Sequence, residues 1–371
     1  MGAKSELKKR AILVPFIIVI LLALLTGSLF FQKEQKTYGF QEKENVYEKY
    51  NHHTPIRYLV IGDSIGRGSG AEHASQRWFK LLEKKMYEER HIDMKGDYIV
   101  QSGSTAFEGL YKLNSHSAVA KPDLIFIVFG ENDRKYMNSD EFGKIYESLI
   151  RKAKKDYPTA EIITLTESCL AYEDFARQIA LVSKHYQAVN IDMRPVFKDT
   201  GLPAEKLTRD LVHPNSRGYR LYADSIYQVI KWNAAKHKKI AVLSSSIHKN
   251  PDLLFSTKKK ILNKKGFIKN GAYYISGKKG DFLEYSFTGN VLGVNLQRSP
   301  DGGEIKVFID GKPVTIMSTW WPFQRKRPLY ITTQLSNGHH TARFETTGSK
   351  TANHKTKNSI IRISSIITNK N

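Results

Sequence analysis

In the stretch YLVIGDSIGRG, Ser64 follows a run of apolar and β-branched residues, which puts its hydroxyl at the end of a strand, where it meets solvent. Serine is a weak nucleophile unless a base takes its proton and a third group orients that base. RDLVHPNSRGY offers both: Asp210 and His213 stand three residues apart, so one turn of chain delivers the two side chains to the same side. Histidine titrates near neutrality, as a general base must. Attack on an acyl carbon drives negative charge onto the carbonyl oxygen, and fixed donors have to hold it. Gly103 in VQSGST has a backbone N–H for this task and Asn132 in VFGEND a side-chain amide. Each piece also has a plainer reading. Ser64 and Asn132 suit helix caps, Gly103 a simple turn, and His213 the approach to a helix begun by Pro214 and Asn215, with Asp210 solvated.

The chain that must bring these residues together alternates strand and helix patterns between Pro55 and about Asn233. Short apolar runs predict strands over 57–61, 97–100, 124–129, 161–165 and 188–191. Amphipathic stretches predict helices over 77–90, 140–156 and 174–185, closed by one over 215–232. Such alternation predicts an α/β fold with a parallel sheet covered on both faces, and sites in such sheets gather at the carboxyl ends of the strands. Ser64, Gly103 and Asn132 all follow strands, and Asp210 and His213 precede the last helix. Past Lys236 the period changes to two: Leu283, Tyr285 and Phe287 share one face, as do Ile305, Val307 and Ile309, with Asp310-Gly311 as a hairpin signal. This predicts a C-terminal antiparallel β-sandwich.

Read in order, GDS with Ser64, SGST with Gly103, GEND with Asn132 and DLVH with Asp210 and His213 resemble the four blocks of the SGNH/GDSL hydrolase superfamily. The resemblance covers about 55–233 and implies a flavodoxin-like three-layer α/β/α sandwich. It further implies Ser64 as nucleophile, His213 as base, Asp210 as its orienter, and the Ser64 backbone, Gly103 and Asn132 as the oxyanion hole. The second block lacks the asparagine often found ahead of its glycine.

The N-terminus adds a location. Residues 11–31 form a charge-free, largely apolar run of 21 residues behind Lys4, Lys8, Lys9 and Arg10. As a helix it spans about 32 Å, enough to cross a bilayer core. The basic flank favours a cytoplasmic tail at 1–10 and a catalytic domain outside the cell. A cleaved signal peptide is the alternative, although the run ends without an A-x-A-like site. The expected organisation is thus a tail at 1–10, an anchor at 11–31, a stalk at 32–54, a catalytic domain at 55–235, a linker at 236–255 and the sandwich at 256–371.

The formal charge is +22, and from Ala234 onward 24 Lys and Arg stand against 7 Asp and Glu. A basic surface outside the cell attracts anionic polymers or lipid headgroups, unless it is simply a soluble, lysine-rich face. No nucleic-acid motif is present. Trp320, Trp321, Arg325 and Tyr330 are candidate glycan contacts or, equally, residues packed at a strand edge. The single cysteine, Cys169, excludes an internal disulfide, and neither a metal nor a cofactor is expected. Taken with the resemblance, this layout points to an O-acetyltransferase or acetylesterase of an anionic cell-wall glycan, similar to membrane-anchored bacterial enzymes. For transfer, the acetyl donor would come from a membrane acyl-transfer system. A lipase or lysophospholipase is the enzymatic alternative, and a glycan-binding protein with an inactive hydrolase domain is the non-enzymatic one.

Overall fold

The protein is described by a computed structural model, which covers residues 44–116, 120–249 and 251–370. The expected anchor and tail lie outside these residues. No helix among the described residues is long and apolar enough to cross a membrane.

Five strands make the central sheet: β1 (Ile56–Gly62), β2 (Met94–Val100), β3 (Leu124–Val128), β4 (Glu161–Thr166) and β5 (Val189–Asp192). All pair in parallel, in the order β2-β1-β3-β4-β5, the flavodoxin-like order. Strands β3 and β4 are buried along their whole length, because helices cover both faces and leave no solvent side on which polar residues would alternate. One face packs α1 (Val46–Asn51), α2 (Trp78–Arg90) and α7 (Ser216–Ala235). The other packs α3 (Ala106–Asn114), α4 (Ser139–Asp156) and α5 (Glu173–His185). A short helix α6 (Met193–Lys198) follows β5.

The fold begins earlier than the stalk expected over 32–54 allows. Helix α1 has its own capping box, Asn45 with Glu48, and buries Val46, Tyr47 and Tyr50. The Tyr47 hydroxyl donates to Glu161 and accepts from the Asn233 amide, tying α1 to β4 and α7. Residues 236–255 are likewise more than a linker. The Arg151 guanidinium on α4 bonds Asp252 and the Ser244 carbonyl, and Glu147 accepts the amides of Ile247 and His248.

The C-terminal part is an antiparallel sandwich. One sheet runs β13 (Lys312–Ser318), β12 (Glu304–Ile309), β15 (His339–Thr346), β10 (Phe282–Thr288) and β7 (Asn263–Lys265). The other runs β14 (Arg325–Thr332), β11 (Leu292–Arg298), β16 (Ile361–Asn369), β9 (Tyr273–Ser276) and β8 (Ile268–Asn270), with β6 (Phe255–Lys258) also on β16. Strands β10 and β12 alternate inward and outward residues, and their apolar sides close a core with Leu296, Phe344 and Ile363. The two parts share apolar packing: Leu253, Val291, Tyr330 and Ile367 belong to the cluster built on α3, α4 and α5.

Candidate active site

Ser64 is carried by the turn that leaves β1. Asp63 holds that turn: its Oδ1 accepts the amides of Ile65 at 2.8 Å and Gly66 at 3.4 Å. The Trp78 indole N–H donates to the Ile65 carbonyl at 3.0 Å and fixes the far side. His213 arrives on the loop before α7, whose cap Asn215 accepts the amides of Arg217 and Gly218. That loop touches the Ser64 turn at Gly70, where an added Cβ would lie 2.4 Å from the Pro214 carbonyl and 2.8 Å from the His213 side chain. Only glycine, here at φ +102°, permits the approach.

The structure brings the sequence-predicted triad residues together. His213 Nε2 lies 2.9 Å from Ser64 Oγ and His213 Nδ1 lies 2.8 Å from Asp210 Oδ2. With the Nδ1 proton donated to Asp210, Nε2 is left to accept from the serine hydroxyl. Asp210 Oδ1 also accepts the His213 and Val212 amides, so the three-residue spacing is closed by main-chain bonds, with Leu211 at φ 66°. Partial burial works to raise the Asp210 pKa, but the His213 amide, the imidazole and the Val212 amide outweigh it and hold the carboxylate below its ordinary range.

The other two expected oxyanion donors follow β2 and β3, the strands on either side of β1. Gly103 sits in a turn at φ 73°, and neither its amide nor that of Ser64 donates to another group among the described residues. The Asn132 amide donates to Asp63 Oδ2 at 2.7 Å, so Asp63 sets both the nucleophile's turn and the asparagine. Beneath them is a buried acidic layer. Glu167 is pushed well up, by burial first and by the charge of Asp63 second. Its Oε2 accepts the Glu131 amide at 2.8 Å. Asp133 Oδ1 accepts the Ala106 amide at 2.8 Å, which locks the start of α3, just after Gly103, to the turn that carries Asn132.

The sandwich takes part as well. The Arg327 guanidinium ion-pairs with Glu108 on α3 and donates to the Gly103 carbonyl at 2.7 Å. Both side chains are 1% exposed. Trp321 lies against Gly103, its ring 3.1 Å from where a Cβ would stand. Of the candidate glycan contacts, Trp320, Trp321 and Arg325 are half-buried. Tyr330 is corrected: it is buried between the domains, its hydroxyl bonded to Glu141 and its ring on Phe107, so it has no face for a sugar. Sequence reasoning gave no role to Asp63 or Asp133, although both lie inside the quoted motifs. It missed Glu108 and Glu167, which no local pattern marks, and the inward pairing of Arg327, which with Arg325 and Lys326 reads only as a basic run beside the tryptophans.

Residues 60–221 match the model of the GDSL-like Lipase/Acylhydrolase family. A 79-residue stretch is 39% identical to Esterase TesA of Pseudomonas aeruginosa, covering 20% of this chain and 36% of that protein. The match thus spans about a third of the length of that relative. A two-domain esterase active on acetylated mannans has the same fold at a TM-score of 0.68, with 15% identity over 87% of this chain and 94% of that one. The same esterase with mannopentaose covers 88% and 94%, again at 0.68 and 15%. The segment that matches the GDSL-like Lipase/Acylhydrolase model holds all four motif blocks in order: Ser64, Gly103, Asn132, and Asp210 with His213.

Proposed function

We propose that this chain is a serine acyl-transfer enzyme acting on O-acetyl groups of an extracellular polysaccharide. The observation that carries the reading is the unbroken relay from Asp210 through His213 to Ser64, with the free amides of Ser64 and Gly103 beside it. Ser64 Oγ attacks the acetyl carbonyl while His213 Nε2 takes the hydroxyl proton, and the carbonyl oxygen, now anionic, meets the two amides and Asn132. The bond to the sugar oxygen then breaks, and His213 returns the proton to that oxygen. The acetyl group is left on Ser64. An acceptor hydroxyl, activated by His213 in turn, resolves the acyl-enzyme: water makes the enzyme an acetylesterase, a second sugar an O-acetyltransferase.

Support for a glycan rather than a lipid comes from the second domain. The mannan esterase resembles this chain over both domains, and the sandwich places Trp321 at Gly103. The apolar run at 11–31 and the basic C-terminal third support a catalytic domain held outside the membrane beside an anionic wall polymer. Mass analysis of glycan separates the two fates. Incubated with the enzyme, acetylated wall glycan that loses acetyl units reports hydrolysis. Bare glycan that gains them from an acetyl donor reports transfer. A glycan unchanged in both mixtures contradicts the substrate assignment.

A further inference from the structure

A cavity of about 380 Å³ lies between the catalytic domain and the sandwich. It is lined on one side by Lys135 and Tyr136 and on the other by Arg298, Thr315 and Ser318. One lining residue on each side leads to an expected oxyanion donor. The Trp321 ring that touches Gly103 has the Arg298 guanidinium 5.1 Å and the Arg327 guanidinium 5.5 Å from its centre. On the opposite wall, Lys135 belongs to the helical turn that starts at Asn132 and donates its amide to the Asn132 carbonyl.

The two arginines differ in one respect. Arg327 has Glu108 as its counter-charge, whereas Arg298, only 8% exposed, forms no ion pair among the described residues. No carboxylate lines the cavity. Three buried donors in this cluster are unpartnered: Arg298 Nε, Arg327 Nη1 and Trp321 Nε1. A buried charge without a counter-charge is costly, and proteins seldom keep one unless something pairs with it. Burial lowers the Arg298 pKa, the nearby Tyr136 hydroxyl works against it, and the charge of Arg327 lowers it further.

We infer that this cavity is a subsite for an anionic group carried by the substrate near its acetyl ester, with Arg298 as the counter-ion and Lys135 as a second cation. A guanidinium presents the same fork of donors to a carboxylate and to a phosphate, so the ligand chemistry is that of an oxyacid anion. The inference rests on the polysaccharide reading above and narrows it to a charged polymer.

The test compares kcat/KM of the full-length chain for three acetylated polymers: neutral mannan, polygalacturonate with its carboxylates, and a poly(glycerol phosphate) with its phosphates. The wild type should favour one anionic polymer over mannan, and which one it favours distinguishes the two sources. Arg298→Met should shrink that ratio about tenfold, the scale of a lost charge-assisted contact, and Arg298→Lys should recover part of it. Calorimetry with galacturonate and inorganic phosphate at fixed ionic strength measures the site directly and needs no variant. An undiminished ratio in Arg298→Met, or a wild type that binds neither anion and prefers neither charged polymer, overturns the inference. If no polymer is deacetylated while p-nitrophenyl acetate is, the polysaccharide reading fails, and calorimetry alone then decides for or against the anion site.

Discussion

Arg327 reaches across the domain boundary to hold the carbonyl of Gly103, and Glu108 neutralises its charge from α3. Gripping that carbonyl while Trp321 presses on the same residue leaves the glycine one orientation, and its amide is aimed by that orientation. On the proposed mechanism Arg327 is thus a positioning residue that acts on the oxyanion through Gly103. Removing it alone would strand Glu108, a buried charge, at a cost of about 3 to 5 kcal/mol, so the informative variant is Arg327→Met combined with Glu108→Gln. For p-nitrophenyl acetate, kcat per serine titrated with an organophosphonate should fall about tenfold or more, with KM within about twofold, because the loss is confined to the transition state. Arg327→Lys, which keeps a cation for Glu108, should regain part of the rate. A normal kcat per titrated serine in the double variant would reduce the pair to a structural clamp. Chain position hides this pair, since Glu108 and Arg327 are 219 residues apart. Ser64, Asp210 and His213 were legible because their chemistry restricts residue type and two of them share one turn.

At the scale of elements, the strands and helices of the catalytic domain follow the apolar pattern to within a few residues. The exceptions are α1, expected as stalk, the short α6, and α3, which sequence periodicity did not disclose. Gly109 interrupts its helical pattern, and the structure needs that glycine because a Cβ there would lie 2.6 Å from the Phe129 ring. Its start signal is also absent locally: Thr105 makes no side-chain cap, and Asp133 supplies the acceptor from a different turn. That service has a pH signature. Burial lifts the Asp133 pKa from 3.8 to about 8, so between these values the folded chain keeps a proton that the unfolded chain has released. The contribution is therefore full at low pH and is lost as pH rises towards 8, at about 1.4 kcal/mol per pH unit. Asp133→Asn retains the acceptor oxygen and removes the titration. Urea unfolding at pH 5, 6 and 7 should show the fall in stability reduced by about that slope relative to wild type. Parallel curves for the two proteins would contradict this role for Asp133.

Over the whole molecule, the two domains were legible as a change of period from helix to strand, but their union was not. Tyr330 lies in a strand buried continuously from Arg327 to Ile331, and nothing in that run says that its partners are Phe107 and Glu141 of the catalytic domain. Nor does the lysine-rich composition after Ala234 reveal that Arg298 and Arg327 point inward. The consequence is that the sandwich brings Trp321 and Arg327 to Gly103, and the proposed chemistry belongs to a composite of both parts. Its central claim is an acetyl group carried on Ser64. Mass spectrometry of the intact chain, quenched in acid during turnover of p-nitrophenyl acetate, reads this directly. The account predicts one added acetyl, located on the peptide containing Ser64 and absent, together with turnover, in Ser64→Ala. Turnover that persists in Ser64→Ala, or an acetyl that maps to another residue, would contradict it.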